Sequence, residues 1–379
     1  MSFSFARTDQ SAVAQWWWTI DRWMLLAIGV LIAFGSLMVM AASPAVAVRI
    51  GDNRLYFIHH YFAVLPAALL CLFLVSMQSP RGVRRIAAAL FVVFLALLAY
   101  TLVGGIEIKG ARRWVELGGL SLQPSEFVKP CFAVVAAWLF AQHRLEPRFP
   151  GHVIAFALFL VIVTLLIRQP DLGMTALVSA VWFTQFFLAG LRLVWVGGGI
   201  VAGAAGLAGA YLTLPHVTNR VDRFLDPASS EGYQVTRSLE AFGNGGLFGR
   251  GPGEGTVKEY LPDAHADFVF AVAGEELGLF VCLAVVAVFA FVVLRGFSRL
   301  MQEGNLFVVL AATGLFVEFG LQAVINMAST LRLMPTKGMT LPFISYGGSS
   351  MLAVCLTMGM ALALTRSNPG AYKSRGAFA

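Results

Sequence analysis

Apolar positions along this chain come in long, unbroken runs separated by short polar punctuation. Ten runs stand out, at about 23–42, 56–76, 86–103, 125–142, 152–168, 174–190, 194–213, 267–294, 304–328 and 349–365. An α-helix rises about 1.5 Å per residue, so about 20 apolar residues cross a bilayer core about 30 Å thick. The runs do not alternate in polarity and are about twice as long as a barrel strand, which excludes a transmembrane β-barrel. The pattern predicts an all-α integral membrane protein, a bundle of about ten transmembrane helices. The fifth and sixth runs are parted only by Gln169-Pro170-Asp171-Leu172-Gly173, which predicts a tight turn. The first run follows Trp16-Trp17-Trp18 and Arg22. Those tryptophans suit an interfacial belt, and the run is too long for the apolar core of a signal peptide, so it reads as an uncleaved first helix.

The punctuation is of two kinds, and they alternate along the chain. One set of short segments carries Arg81, Arg84 and Arg85, then Arg144 and Arg148, Arg192, Arg295 and Arg299, and finally Arg366, Lys373 and Arg375, with few acids. The other set holds nearly all the carboxylates. Basic residues stay on the cytoplasmic side of short loops, so both termini are expected in the cytoplasm. The expected organisation is a cytoplasmic N-terminal segment 1–22, one polytopic membrane domain 23–365 and a cytoplasmic tail 366–379. On the outer side the stretch at about 214–266 is long, Gly-rich, charged and without a span. Long loops of this kind usually carry function. Two shorter outer loops, 104–124 and 329–348, are also polar or rich in Gly and Pro.

Composition narrows the classes further. Only 12% of the 379 residues are charged and 58% are hydrophobic, about half the charge share of a soluble domain. That excludes soluble and disordered chains, and the net charge of +7 belongs to the loop asymmetry rather than to nucleic-acid binding. Cys71, Cys131, Cys282 and Cys355 all fall inside apolar runs without CxxC spacing. They read as small buried hydrophobes rather than a disulfide or zinc framework.

Chemistry is concentrated on the outer side. Charges at membrane depth cost about 2.5–3.5 kcal/mol each on insertion scales, so they tend to be paired or functional. Glu126 and Lys129, three apart at the start of the fourth run, share a helix face. Asp267 opens the eighth run; it reads either as a carboxylate favouring the helix dipole or as a partly desolvated base facing a cavity opposite Lys129. Glu275 and Glu276 follow two turns on and cannot share a face, which predicts structural pairing inside the bundle. Glu318, a lone acid in the ninth run, is expected to be hydrogen-bonded across helices, with a proton relay as the other reading. The run Gly243 to Gly253 lacks the Lys-Ser/Thr ending of a P-loop and follows no predicted strand, so it reads as a loop rather than a nucleotide site. Arg112 and Arg113 beside Trp114 suit an anionic headgroup at the interface. His59, His60 and His265 lack metal-ligand spacing. From the residues alone, the outer polar surface fits an anionic, lipid-linked ligand, and an enzyme and a transporter fit it equally.

Several motifs carry a resemblance. Tyr260-Leu261-Pro262-Asp263-Ala264-His265-Ala266-Asp267-Phe268-Val269-Phe270-Ala271, followed by Gly274-Glu275-Glu276-Leu277-Gly278, resembles the FtsW/RodA/SpoVE (SEDS) family. Gln123-Pro124-Ser125-Glu126 with Lys129, Gln169-Pro170-Asp171-Leu172-Gly173, Gly232-Tyr233-Gln234 and Gly249-Arg250-Gly251 look like further motifs of that family, in its order, from the first span to the last. The segment Pro335 to Ser349, with Lys337, is similar to the division-type form; elongation-type members usually lack that lysine. The family often carries Arg or Lys where this chain has His60. If that position touches phosphate, binding here weakens as the imidazole loses its proton.

The resemblance implies a peptidoglycan glycosyltransferase that polymerises lipid II through β-1,4 links during septal wall synthesis. It implies Asp267 as the essential carboxylate, removing a proton from the attacking sugar hydroxyl, and Lys129, with Glu126, near the diphosphate. Arg113, Arg250 and Lys337 are further candidates to meet the leaving group, with Trp114 as a sugar or lipid platform. A growing negative charge on the diphosphate calls for cations, supplied by side chains or by a divalent Mg or Mn ion. An α-linked donor and a β-linked product imply inversion in one displacement. The resemblance also implies a class B penicillin-binding protein as transpeptidase partner, other division proteins, and a place in the bacterial inner membrane at the septum. The rival readings are a lipid II flippase or other transporter, for which Glu318 and the broken spans speak, and a non-catalytic division scaffold.

Overall fold

The computed structural model describes residues 11–108, 111–117, 120–190, 193–213, 217–219, 222, 226, 230–335 and 338–367. Helices fall on all ten apolar runs. They are α2 (Arg22–Arg49), α3 (Tyr56–Ser76), α4 (Pro80–Gly104), α5 (Pro124–Leu145), α6 (Gly151–Arg168), α7 (Leu172–Leu188), α8 (Leu193–Thr213), α10 (Val269–Leu300), α11 (Leu306–Thr330) and α12 (Gly348–Leu364). Among the described residues, α2–α6, α10 and α11 are long and apolar enough to cross a membrane, and α7 and α12 are shorter apolar helices. Their starts are written locally. Asp21, Ser79, Asp171 and Asn305 each accept a backbone N–H as N-cap, and Pro opens α4 and α5, where its missing N–H costs nothing.

α5 is the axis of the bundle. It is buried along almost its whole length, packed against α4, α6, α7, α11 and α12, whereas α3 and α4 bury only one stripe each. Side chains that a lipid-facing helix would reject can therefore be carried on α5. α11 is its main polar counterpart, burying Glu318, Gln322 and Asn326 on one face.

Elements in three stretches were not read from the pattern. A short helix, α1 (Ala12–Thr19), carries the tryptophans; the Trp16 indole donates to Ser76 Oγ at 2.8 Å, and Arg22 lies over the rings of Trp17 and Trp18. The loop 104–124 folds into an antiparallel meander of β1 (Ile106–Ile108), β2 (Ala111–Leu117) and β3 (Leu120–Leu122). The long loop holds a polar helix, α9 (Ser230–Gly245), packed on α10 and α11, and a 3-10 turn at Val257–Glu259.

The bundle has two unlike ends. At one, Arg295 and Arg299 donate to the buried Asp21 carboxylate at 2.8–2.9 Å. Burial pushes the Asp21 carboxyl up, but the two arginines and the Met24 N–H outweigh it and hold it below the ordinary value. Arg366 donates to Thr19 Oγ1 and to the Met77 carbonyl at 2.9 Å, tying the segments before α2 and after α12 to the α3–α4 turn. A cavity of about 250 Å³ opens at this end, lined by Ser79, Glu303, Asn305 and Arg366 among others. The meander, α9 and the segment before α10 lie at the other end, and that is where the candidate chemistry gathers.

Candidate active site

The site grows from one face of α11. Lys129 donates to Glu126 Oε2 at 2.8 Å, an i,i+3 pair on α5 that is nearly fully buried. The same ammonium donates to Gln322 Oε1 on α11 at 2.9 Å, and the Gln322 amide passes a bond to the Thr340 carbonyl at 3.1 Å. One turn along α11, Asn326 Nδ2 donates to the Asp267 carbonyl at 3.0 Å and to the Met339 carbonyl at 2.7 Å. Gln322 and Asn326 thus connect the Lys129–Glu126 pair, the segment 338–347 and the backbone of Asp267.

Asp267 is half-buried and is positioned by a tight turn. Asp263 takes a left-handed φ of 52°, uncommon for a residue with a side chain. Its carbonyl accepts from Ala266, Asp267 and Phe268 at 2.9, 3.1 and 3.4 Å. Ser345 Oγ donates to the Ala266 carbonyl at 2.6 Å, and the Tyr346 N–H to the His265 carbonyl at 2.9 Å. The segment 265–267 is therefore held from α11 and from the loop before α12. A Cβ placed on Gly338 would lie 3.6 Å from Asp267 Oδ2, so that loop runs past the carboxylate. The N-cap of α10 is Phe268, which makes no capping bond, so Asp267 is not the cap residue of that helix. Lys337 lies outside the described residues.

The turn between α6 and α7 brings in Arg113. Opposite β1, Glu107 pairs with Arg112 and Ile106 with Trp114, leaving Arg113 as the extra residue of a β-bulge. Paired residues share a face and neighbours alternate, so Arg112 and Trp114 stand on opposite faces of the meander. The bulge re-aims the residue it frees. Arg113 donates to the Gln169 and Pro170 carbonyls at 3.1 and 2.6 Å and lies 3.4 Å from Asp171 Oδ2. Burial raises the Asp171 carboxyl above its ordinary value, with the Arg113 charge opposing; Glu126 and Lys129 are near enough to act on it too. The expected pair of guanidiniums beside an indole is thus divided: Arg112 binds Glu107 in solvent at 3.4 Å, and Arg113 clamps a turn.

Arg250 stands apart from this group. It is partly exposed, bonded to Thr256 Oγ1 at 3.1 Å and 3.5 Å from Glu275 Oε1. Glu275 and Glu276 are both paired, as their position in the sequence predicts, with Glu276 accepting from Lys258 Nζ at 2.5 Å. Glu318 is buried within electrostatic reach of Lys129 and Glu126, but its Oε2 has no hydrogen-bond partner among the described residues, unlike the cross-helix bond expected. His60 lies near Tyr346 and the first residue of α12, Gly348. Sequence reasoning missed Gln322 and Asn326. Two amides at i and i+4 inside an apolar run place them on one helix face, a signal that a satisfied core pair would give equally. Among the described residues no group of three or more His, Cys, Asp or Glu could hold a metal ion.

Residues 22–369 match the family model FTSW_RODA_SPOVE, described as cell cycle protein. The chain is 46% identical over 376 residues to a probable peptidoglycan glycosyltransferase FtsW of Caulobacter vibrioides, covering 99% of this chain and 96% of that one. It is 34% identical to a protein of the same name from Legionella pneumophila, with 92% and 91% covered. Among solved structures it is similar to a chain from a study of polymerization and crosslinking by a peptidoglycan synthase complex, with TM-score 0.77, 28% identity and 91% and 97% covered. The crystal structure of Thermus thermophilus rod shape determining protein RodA gives TM-score 0.68 at 27% identity, with 92% and 97% covered.

Proposed function

The chain belongs to the FtsW/RodA/SpoVE family of cell cycle proteins, and from that premise we propose that it is a peptidoglycan glycosyltransferase, FtsW-like, that polymerises lipid II by inverting transfer with Asp267 as general base. The observation that carries this reading is the set of bonds through Asn326, Ser345 and Asp263, which hold the backbone around Asp267 beside the Lys129–Glu126–Gln322 group. A sugar hydroxyl is a weak nucleophile, and a carboxylate within hydrogen-bond reach removes its proton as it attacks. The oxygen forms a bond to the anomeric carbon, the bond to the diphosphate breaks, the proton goes to Asp267, and the lipid diphosphate leaves with its electron pair. Lys129 bears on this step through its charge. In this state its ammonium is engaged by Glu126 and Gln322, so direct contact with a diphosphate requires one of those bonds to open. Arg113 is likewise engaged by the 169–171 turn and Arg250 by Thr256 and Glu275, which leaves Trp114 as the unengaged candidate among the described residues, with Lys337 a candidate from its sequence motif alone. A divalent ion bound with the diphosphate would supply positive charge to the leaving group.

The finer expectations belong to the same proposal. The substrate is lipid II, and the crosslinking partner is a class B penicillin-binding protein. The protein sits in the bacterial inner membrane at the septum with both termini cytoplasmic. The transporter reading draws on Glu318, midway along α11, but apart from it and Asp21 the buried charges lie toward the end that carries the meander, whereas alternating access wants a midplane site.

Polymerisation of purified lipid II by this protein with its transpeptidase, wild type against Asp267→Asn, is the test. General-base loss predicts a fall of about 10²–10⁴-fold in a variant that remains folded. Equal polymer from both would remove Asp267 as the base. No polymer from either would favour the transporter or scaffold readings.

A further inference from the structure

α10 is not one helix. Gly278 has φ 80° and ψ −178°, and the helix breaks there. In an unbroken helix the N–H groups of Leu279 and Phe280 would bond to the carbonyls of Glu275 and Glu276. Here those four groups are met by the glycine-rich run instead. Leu279 N–H donates to the Gly246 carbonyl at 3.0 Å and Phe280 N–H to Leu247 at 3.3 Å. The Glu275 and Glu276 carbonyls accept from Arg250 and Gly251 at 3.0 and 2.9 Å. Residues 246–251 thus stand in for the missing turn. Close approach demands glycine: a Cβ on Gly249, itself at φ +81°, would lie 2.2 Å from the Glu276 carbonyl oxygen, and one on Gly278 would lie 2.4 Å from Gly249 N. The run read from sequence as a loop is an inserted splice.

The two glutamate side chains then fasten the continuation of that run. Both are fully buried. Glu275 accepts from the Thr256 and Val257 N–H groups at 3.1 and 3.0 Å. Glu276 accepts from Gly253 N–H at 2.8 Å and from Lys258 Nζ at 2.5 Å, while Lys258 also reaches the Gly253 carbonyl at 2.8 Å. Because residues 253–258 wrap round the helix, adjacent acids that cannot share a face both find donors. Asp267 lies on the stretch of chain that this clasp closes, between Lys258 and Glu276. The apolar residues of the stretch, Val257, Leu261, Ala264 and Phe268, are sunk in a small core with Ala42 and Val46 of α2.

Resting on the transferase reading above, we propose that Glu275, Glu276 and Lys258 are positioning residues of the reaction: they lock the outer half of α10 to the glycine run and so fix where the Asp267 carboxylate stands, without touching substrate. Misplacing a reacting group by about 1 Å costs about 10²-fold in rate. The charge of each clasp acid is removed while its shape and one acceptor oxygen are kept in Glu276→Gln and Glu275→Gln, and Lys258→Met removes the donor.

The experiment uses the full chain with its transpeptidase. It measures kcat and KM for lipid II, and separately the rate at which a small maleimide labels an Asp267→Cys reporter with and without Glu276→Gln. The expected result is a kcat lowered by about tenfold or more with KM held within about twofold, because a misaligned base loses transition-state rather than ground-state binding. Labelling of the reporter should be several-fold faster when the clasp is cut. Folded variants with wild-type kcat and unchanged labelling overturn the proposal. A rise in KM alone overturns it in favour of substrate contact, and loss of fold in all three variants overturns it in favour of a purely structural role. An inactive wild type would count against the transferase reading, while the labelling comparison still decides whether the clasp places Asp267.

Discussion

At Asp267 the fold fixes the backbone before the carboxylate. Asn326 spends both amide hydrogens on carbonyls, one of Asp267 and one of Met339, so it joins the turn before α10 to the loop before α12. Asn326→Ala removes both bonds and leaves the buried Met339 carbonyl short of a donor, at about 1–3 kcal/mol, and the half-buried Asp267 carbonyl untethered. The expected outcome is a loss of polymerising activity of about tenfold or more, and no further loss when the change is added to Asp267→Asn, because groups that act as one unit are not additive. Single-turnover rates of the two single variants and the double would check this; additive losses would show that Asn326 acts elsewhere. Asp267 is legible in the sequence because a charge at the edge of an apolar run asks for a reason. Asn326 and Gln322 are not, since a neutral amide in a span is as readily a satisfied core residue as a site residue, and only the fold shows which carbonyl it meets.

Among the elements, legibility follows length. The spans could be read because each needs about 20 apolar residues, and helices occupy all ten runs. The meander could not, because its strands have 3, 7 and 3 residues and the longest is interrupted by the bulge that frees Arg113. That bulge matters to the neighbouring turn. Arg113 holds the Gln169 and Pro170 carbonyls, Gln169 Nε2 holds the Leu98 carbonyl at 3.1 Å, and Asp171 caps α7 through Met174 N–H at 3.2 Å. Burial is the largest influence on Asp171 and leaves its folded value above the ordinary 3.8, with Arg113 opposing. A carboxyl whose value is raised on folding binds more protons folded than unfolded between the two values. Its contribution to stability is therefore present below the ordinary value and declines as pH rises through the raised one. Asp171→Asn keeps an oxygen for the cap and should flatten that slope. Melting temperatures of wild type and variant from about pH 3 to about 8, a window that starts below the ordinary carboxyl value and extends above it, would show it; parallel curves would mean that Asp171 does not contribute.

The whole molecule sorts its charges by end. Asp21 with Arg295 and Arg299, and Arg366 with the Thr19 and Met77 groups, tie one end together; the clasp, the meander and Asp267 occupy the other. The alternation of basic and acidic segments in the sequence carries that separation, because each span carries the chain from one end to the other. If the basic end faces the cytoplasm, Asp267 opens to the outer face of the membrane. The native cysteines are poor targets for a water-borne reagent, three being buried and Cys71 partly so. Cysteines introduced at two exposed positions therefore report the orientation: Glu254 in the glycine-rich segment and Glu303 in the turn before α11. In intact cells stripped of the outer barrier, a membrane-impermeant maleimide should label Glu254→Cys at once and Glu303→Cys only after the membrane is opened. The reverse pattern would place Asp267 on the cytoplasmic side. Chemistry on a strand that must grow outside the membrane would then have no base in this protein, and the transferase proposal would fall with the topology.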